Sequence, residues 1–185
     1  MNPNPISPIP NPASEPPVTL DYELLKEIYD DTIRKNPTDP DAYASRGTVK
    51  FGLHDYKGAV NDYTTSISLK PDTARTYFNR GLAKCCMEDH RGAIADTTRA
   101  IKLEPTWEKA FYIRGVSQYL NGNSTKAILD FNKAIDLNPS FGHAWVGRGI
   151  IKVQIGNKKS GTADMQKGKD LGFHGVFRLY TDKWR

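Results

Sequence analysis

The sequence predicts an all-α protein built as a repeat solenoid, and three observations predict it. Pro37, Pro71, Pro105 and Pro139 fall on one comb with a step of 34 residues, a period at which stacked helix–turn–helix units repeat. In a fixed phase to that comb, an aromatic residue precedes an Arg-Gly pair: Tyr43 with Arg46-Gly47, Tyr77 with Arg80-Gly81, Phe111 with Arg114-Gly115, Trp145 with Arg148-Gly149. Small residues then recur at Ala59, Ala93, Ala127 and Gly161. The stretch from Phe111 to Pro139 carries the pattern most clearly, as two amphipathic helices joined by a turn.

Each element follows in order. Residues 1–18 hold seven of the twelve prolines and almost no large apolar side chain, so a tail without a core of its own is expected. Within it, Pro5-Ile6-Ser7-Pro8 fits the loose PxxP form. Residues 19–37 read as an N-terminal capping helix, because Leu20, Leu24, Leu25, Ile28, Tyr29 and Ile33 recur at helical spacing before Asn36-Pro37. It resembles the second helix of a unit whose first is missing, and terminal repeats are often atypical. Four units are expected over 38–172, near 38–72, 73–106, 107–140 and 141–172. Their helices are expected near 41–53 and 56–69, 73–87 and 90–103, and in the fourth unit 141–155 and 158–171. In the third unit, Ser124 is the expected N-cap. Residues 173–185 are rich in aromatics and are expected to cap the last unit or form a homodimer contact.

The repeated residues have physical reasons. Gly47, Gly81, Gly115 and Gly149 lie mid-helix, where glycine costs about 1 kcal/mol relative to alanine. Four such glycines in one phase imply that a facing helix backbone leaves no room for a side chain. The prolines stop each second helix, since the residue before proline disfavours helix. In the fourth unit Gly161 and Gly168 replace alanines and Phe173 replaces the proline, so its second helix is expected to be the softest. Asp30-Asp31 read as a solvated helix face.

Composition excludes several classes. Hydrophobic residues make up 38% and charged ones 25%, the balance of a water-soluble globular chain. No apolar run approaches the ~18 residues of a membrane span. The start MNPNPISPIP lacks a secretory signal pattern, and the adjacent Cys85 and Cys86 cannot form a framework of disulfides. The cytoplasm is the expected compartment. Net charge is +5, but residues 1–38 carry 3 basic against 6 acidic side chains and residues 141–185 carry 9 against 3. Oppositely charged ends leave open a self-assembling protein joined end to end, or an anionic partner at the basic end.

These residues resemble the tetratricopeptide repeat family, in the variety with Arg-Gly in the first helix. Ala93-Ile94 with Ala100-Ile101, and Ala127-Ile128 with Ala134-Ile135, carry the likeness best, and it spans about residues 20–171. The resemblance implies a right-handed superhelix with first helices lining a concave groove. It implies groove positions at Asp41, Ala44, Thr48 and Phe51, then Arg75, Phe78, Leu82 and Cys85, then Lys109, Tyr112, Val116 and Tyr119, then His143, Val146, Ile150 and Val153. Helical spacing puts each set on one face. That face is apolar through the last three units, with Arg75, Lys109 and His143 along one rim. A peptide or helix held by aromatic anchors is the expected ligand. Glutamate at Tyr112 and Val116 is then expected to abolish capture with helicity intact.

One subset of the family clamps the terminal carboxylate of heat-shock chaperones with polar groove residues. Asn79 and Lys109 fill two of those places, whereas Ala44, Thr48 and Ile113 stand where Lys, Asn and Arg are needed. That partner is not expected. No phosphate loop, CxxC, HExxH or GxSxG is present, so no catalysis, cofactor or metal is expected. The basic charge gathers at one end rather than along a groove, which disfavours RNA. The expected function is a non-catalytic adaptor, scaffold or co-chaperone.

Overall fold

The computed structural model describes residues 21–173. The expected proline-rich tail and, beyond Phe173, the expected C-terminal cap with His174 lie outside the described residues. The elements are α1 (Tyr22–Lys35), α2 (Pro40–Gly52), α3 (Tyr56–Leu69), α4 (Ala74–Cys86), α5 (His90–Leu103), α6 (Glu108–Leu120), α7 (Ser124–Leu137), α8 (Gly142–Gln154) and α9 (Lys158–Asp170). Among the described residues every regular element is a helix.

Local chemistry starts and stops these helices. Carboxylates of Asp21, Asp39, Asp55 and Asp89 accept backbone N–H groups of the first turns that follow them, each such cap contributing about 1 kcal/mol. Ser124 departs from expectation. It is the first helical residue of α7, Asn123 holds the cap position, and no side-chain cap bond forms there. Within each unit the chain reverses through one left-handed residue, at His54 (φ 62°), Glu88 (φ 63°), Gly122 (φ 84°) and Gly156 (φ 91°). The next residue's N–H closes each first helix, as in Asp55 N to Lys50 O at 2.9 Å and Asn157 N to Lys152 O at 2.8 Å.

Helices α2/α3, α4/α5, α6/α7 and α8/α9 pack as pairs, and α1 packs on α2 as α3 does on α4. First helices also meet across units, α2 with α4, α4 with α6 and α6 with α8, whereas second helices of neighbouring units do not. The array therefore curves with α2, α4, α6 and α8 on its inner side. The buried core runs through Cys85, Ala93, Phe111, Phe131, Ala134, Ala144 and Ile151.

The repeated arginine does what periodicity alone did not reveal. Arg46, Arg80, Arg114 and Arg148 each grip an aspartate 16 residues on with two bonds, at Asp62, Asp96, Asp130 and Asp164. The free Nη1 of each arginine donates backwards to the preceding second helix, at Asp30, Thr64, Thr98 and Asn132. One guanidinium thus ties three helices together, and it also lies over the aromatic three residues before it. Asp30, on a face that stays partly exposed, also carries a structural bond: it accepts from Arg46 at 2.7 Å and joins α1 to α2. Asp31 is exposed to a similar degree and pairs with Arg34 and Lys35. Burial alone would raise the Asp164 and Asp30 carboxyls, but hydrogen bonds from Arg148 and Lys152, and from Lys26 and Arg46, outweigh it and hold both below the usual range.

The glycines also need a correction. A Cβ on Gly47, Gly81 or Gly115 would first meet the side chain of Tyr63, Thr97 or Phe131. Only in the fourth unit does backbone come first, with the Gly161 carbonyl 2.7 Å from a Cβ built on Gly149. A Cβ on Gly142 would likewise first meet backbone, the Gly168 carbonyl at 2.9 Å, whereas one on Gly168 would first meet the Val146 side chain. In the fourth unit these glycines let α8 and α9 approach backbone to backbone.

Candidate functional site

The inner face is built from α2, α4, α6 and α8, and what fills it changes along the array. Trp107 and Phe141 stand just before α6 and α8, one repeat apart, where α2 has the capping Asp39 and α4 has Thr73. Neither aromatic caps its helix through a side chain. Each lies on an aromatic of the preceding unit: Phe78 against Trp107 with ring centroids 4.4 Å apart, Tyr112 against Phe141 at 5.2 Å. The equivalent pair one step earlier is Ala44 and Thr73. Both are small, and a hollow of about 370 Å³ opens there. Its walls include Tyr22, Leu25 and Tyr29 from α1, Ala44 and Thr48 from α2, and Thr73, Arg75 and Asn79 from the start of α4.

The expected groove residues divide by burial. Arg75, Lys109 and His143 are exposed along the inner rim, and Phe78, Asn79, Leu82, Tyr112, Tyr119 and Ile150 are half-buried. Val116 and Val146 are only 2% and 5% exposed. They pack inside the array and present nothing to a ligand, and Cys85 is buried with them. Glutamate at Val116 would therefore break the core rather than test the groove. Tyr119 donates its hydroxyl to Gln154 Oε1 at 2.7 Å, bridging α6 and α8. Tyr112, Phe141, His143 and Phe173 form a continuous row of ring contacts. A second hollow, about 480 Å³, lies between Phe141–His143 and Leu171–Phe173.

Electrostatics separate the two ends of this face. Arg75 and Lys109 make no ion pair among the described residues. Burial, with help from the nearby Lys109 charge, pushes the His143 imidazole down, so the ring favours its neutral form. Burial raises the Cys85 thiol and lifts Cys86 to about 12, leaving both as poor nucleophiles. Among the described residues no group of His, Cys, Asp and Glu is placed to hold a metal ion. No described helix is long and apolar enough to cross a membrane.

Comparison with known proteins accords with this geometry. Residues 108–141, one full period, match the family model for the tetratricopeptide repeat, and α2 to α9 repeat that helix pair in phase. One unit of the chain is thus a tetratricopeptide repeat. A crystal structure of MamA is similar at a TM-score of 0.78 and 20% identity, covering 82% of this chain and 89% of MamA. A MamA fragment from Desulfovibrio magneticus RS-1 gives 0.70 at 18% identity, covering 83% and 96%. YrrB, described as a protein of this repeat type with an unusual peptide-binding site, gives 0.71 at 18%, covering 86% and 81%. At these identities the likeness concerns the fold. No curated protein matches the sequence.

Proposed function

We propose that this protein is a non-catalytic interaction module that holds a protein segment on its inner face. The segment seats a bulky apolar side chain in the hollow at Ala44 and Thr73. Its acidic groups meet Arg75 and Lys109. The observation that carries this reading is the missing aromatic pair. Where Phe78/Trp107 and Tyr112/Phe141 fill the inner face, Ala44 and Thr73 leave room for an anchor from outside. Tyr22, Leu25 and Tyr29 give that room apolar walls, and Thr48 and Asn79 offer hydrogen bonds to a peptide backbone. The peptide-binding site described for YrrB, a structural neighbour, supports the class of function. The chaperone-carboxylate mode stays disfavoured, because Ile113 is buried where an arginine would be required.

Ala44→Phe tests the reading. Phenylalanine stands at the equivalent position in the second unit and tyrosine in the third, so the substitution fits the fold. A segment captured by the intact chain from its source cell should lose at least tenfold in affinity for the variant, about 1.4 kcal/mol. Unchanged affinity with an unchanged thermal midpoint would remove the hollow from the account.

A further inference from the structure

The two ends of the array treat water differently. At one end α9 carries Lys169 at the register position held by Ile67, Ile101 and Ile135 in the earlier second helices, and Lys169 is exposed. Among the described residues α9 thus carries charge at this position. At the other end α1 does the reverse. Ile28 occupies the position of Asp62, Asp96, Asp130 and Asp164, and Leu24 that of Gly58, Gly92, Lys126 and Ser160. Among the described residues no first helix precedes α1, so no arginine reaches this position as Arg46 reaches Asp62. A polar residue would suffice there. Instead Leu24 and Ile28 are 54% and 49% exposed, four residues apart on one face.

We infer that this face of α1 is a self-association surface, and that its partner is α1 of a second copy in antiparallel orientation. The charges on the stripe favour that partner. Asp21, Leu24, Ile28 and Lys35 follow one another at helical spacing, acidic at one end and basic at the other. A two-fold axis at Ile28 sets Asp21 of each copy against Lys35 of the other and buries the two isoleucines between them, an isologous contact that closes at two. Lys35 also reaches Asp31 in its own helix, and because it is exposed it can serve both carboxylates. Among the described residues α9 exposes no large apolar side chain to Leu24 and Ile28, so a head-to-tail contact with α9 does not use this face. A helix of 14 residues is about 21 Å long and buries less than the roughly 1,200 Å² of a stable complex. The dimer is therefore weak and reversible.

Sedimentation equilibrium on the full chain, from about 10 µM to about 1 mM, tests this. The expected result is a monomer–dimer equilibrium whose dissociation constant rises at least tenfold with Ile28→Asp, which restores the residue found at this register in the other units. Leu24→Lys should act likewise, Lys35→Glu should weaken the dimer most at low salt, and circular dichroism should stay unchanged in all three. A monomer at every concentration, a dimer indifferent to both Ile28→Asp and Leu24→Lys, or species larger than a dimer would each overturn the inference.

Discussion

Replacing Arg114 with leucine should damage the fold more than the same change at Arg80, although the two arginines occupy equivalent places. Arg114 holds Asp130 through Nε at 2.9 Å and Nη2 at 2.6 Å. Arg80 holds Asp96 in the same way, but Lys84 lies 2.8 Å from that carboxylate as well. The third unit has Gln118 where the others have Lys50, Lys84 and Lys152, and no second cation reaches Asp130 among the described residues. Removing Arg114 therefore strands a buried charge, a loss of about 3–5 kcal/mol. Removing Arg80 leaves an ion pair behind and forfeits the charged hydrogen bonds, about 1.5–3 kcal/mol. Adding Gln118→Lys to Arg114→Leu should recover at least about 1 kcal/mol. Urea unfolding followed by circular dichroism gives the differences, and hydrogen exchange locates them in α6 and α7, because repeat arrays need not unfold in one step. Equal losses for the two arginines, or no recovery with Gln118→Lys, would refute the arginine ladder as the tie between units.

Two further outcomes follow from the same packing. Gly149→Ala should lower stability by about 1–3 kcal/mol, since its Cβ would meet backbone at 2.7 Å, while Gly81→Ala should be near neutral, because its Cβ meets the Thr97 methyl at 3.1 Å and alanine gains about 1 kcal/mol of helix propensity; paired thermal melts decide. For pH, the folded Asp164 carboxyl lies below its unfolded value, so its contribution is complete above about pH 4 and fades as pH falls through the folded pKa. An acid titration should show the intact chain losing stability over that interval more steeply than Asp164→Asn, and parallel curves would contradict the assignment.

The repeat was legible because glycine, proline and aromatic residues mark backbone constraints that recur at one period. The helix limits followed from it to within a residue or two. Less legible was anything that joins two sequence positions. Asp62, Asp96, Asp130 and Asp164 lie on the same comb as the arginines, yet their partnership needs the spacing across a helical hairpin. The candidate site was least legible. Val116 and Val146 sit in the groove phase, but burial depends on how far the neighbouring helix leans over them. The hollow at Ala44 and Thr73 is a difference between units, and a search for repetition passes over it. Comparing the unlike residues at like positions, Ala44 with Phe78 and Tyr112, and Thr73 with Trp107 and Phe141, would have found it from the sequence.

The claim that the inner face holds the partner is tested most directly by photocrosslinking. A photoreactive benzoylphenylalanine in place of Ala44, and separately in place of Leu129 on the outer layer, where the side chain is exposed, samples the two sides of the array. A photoreactive group at Thr48, beside the hollow, covers the case in which the bulky probe at Ala44 itself blocks entry. Crosslinks from Ala44 or Thr48 to one partner segment, with none from Leu129, are the predicted result. Crosslinks to that segment from Leu129 alone would place the partner on the outer face and contradict the account.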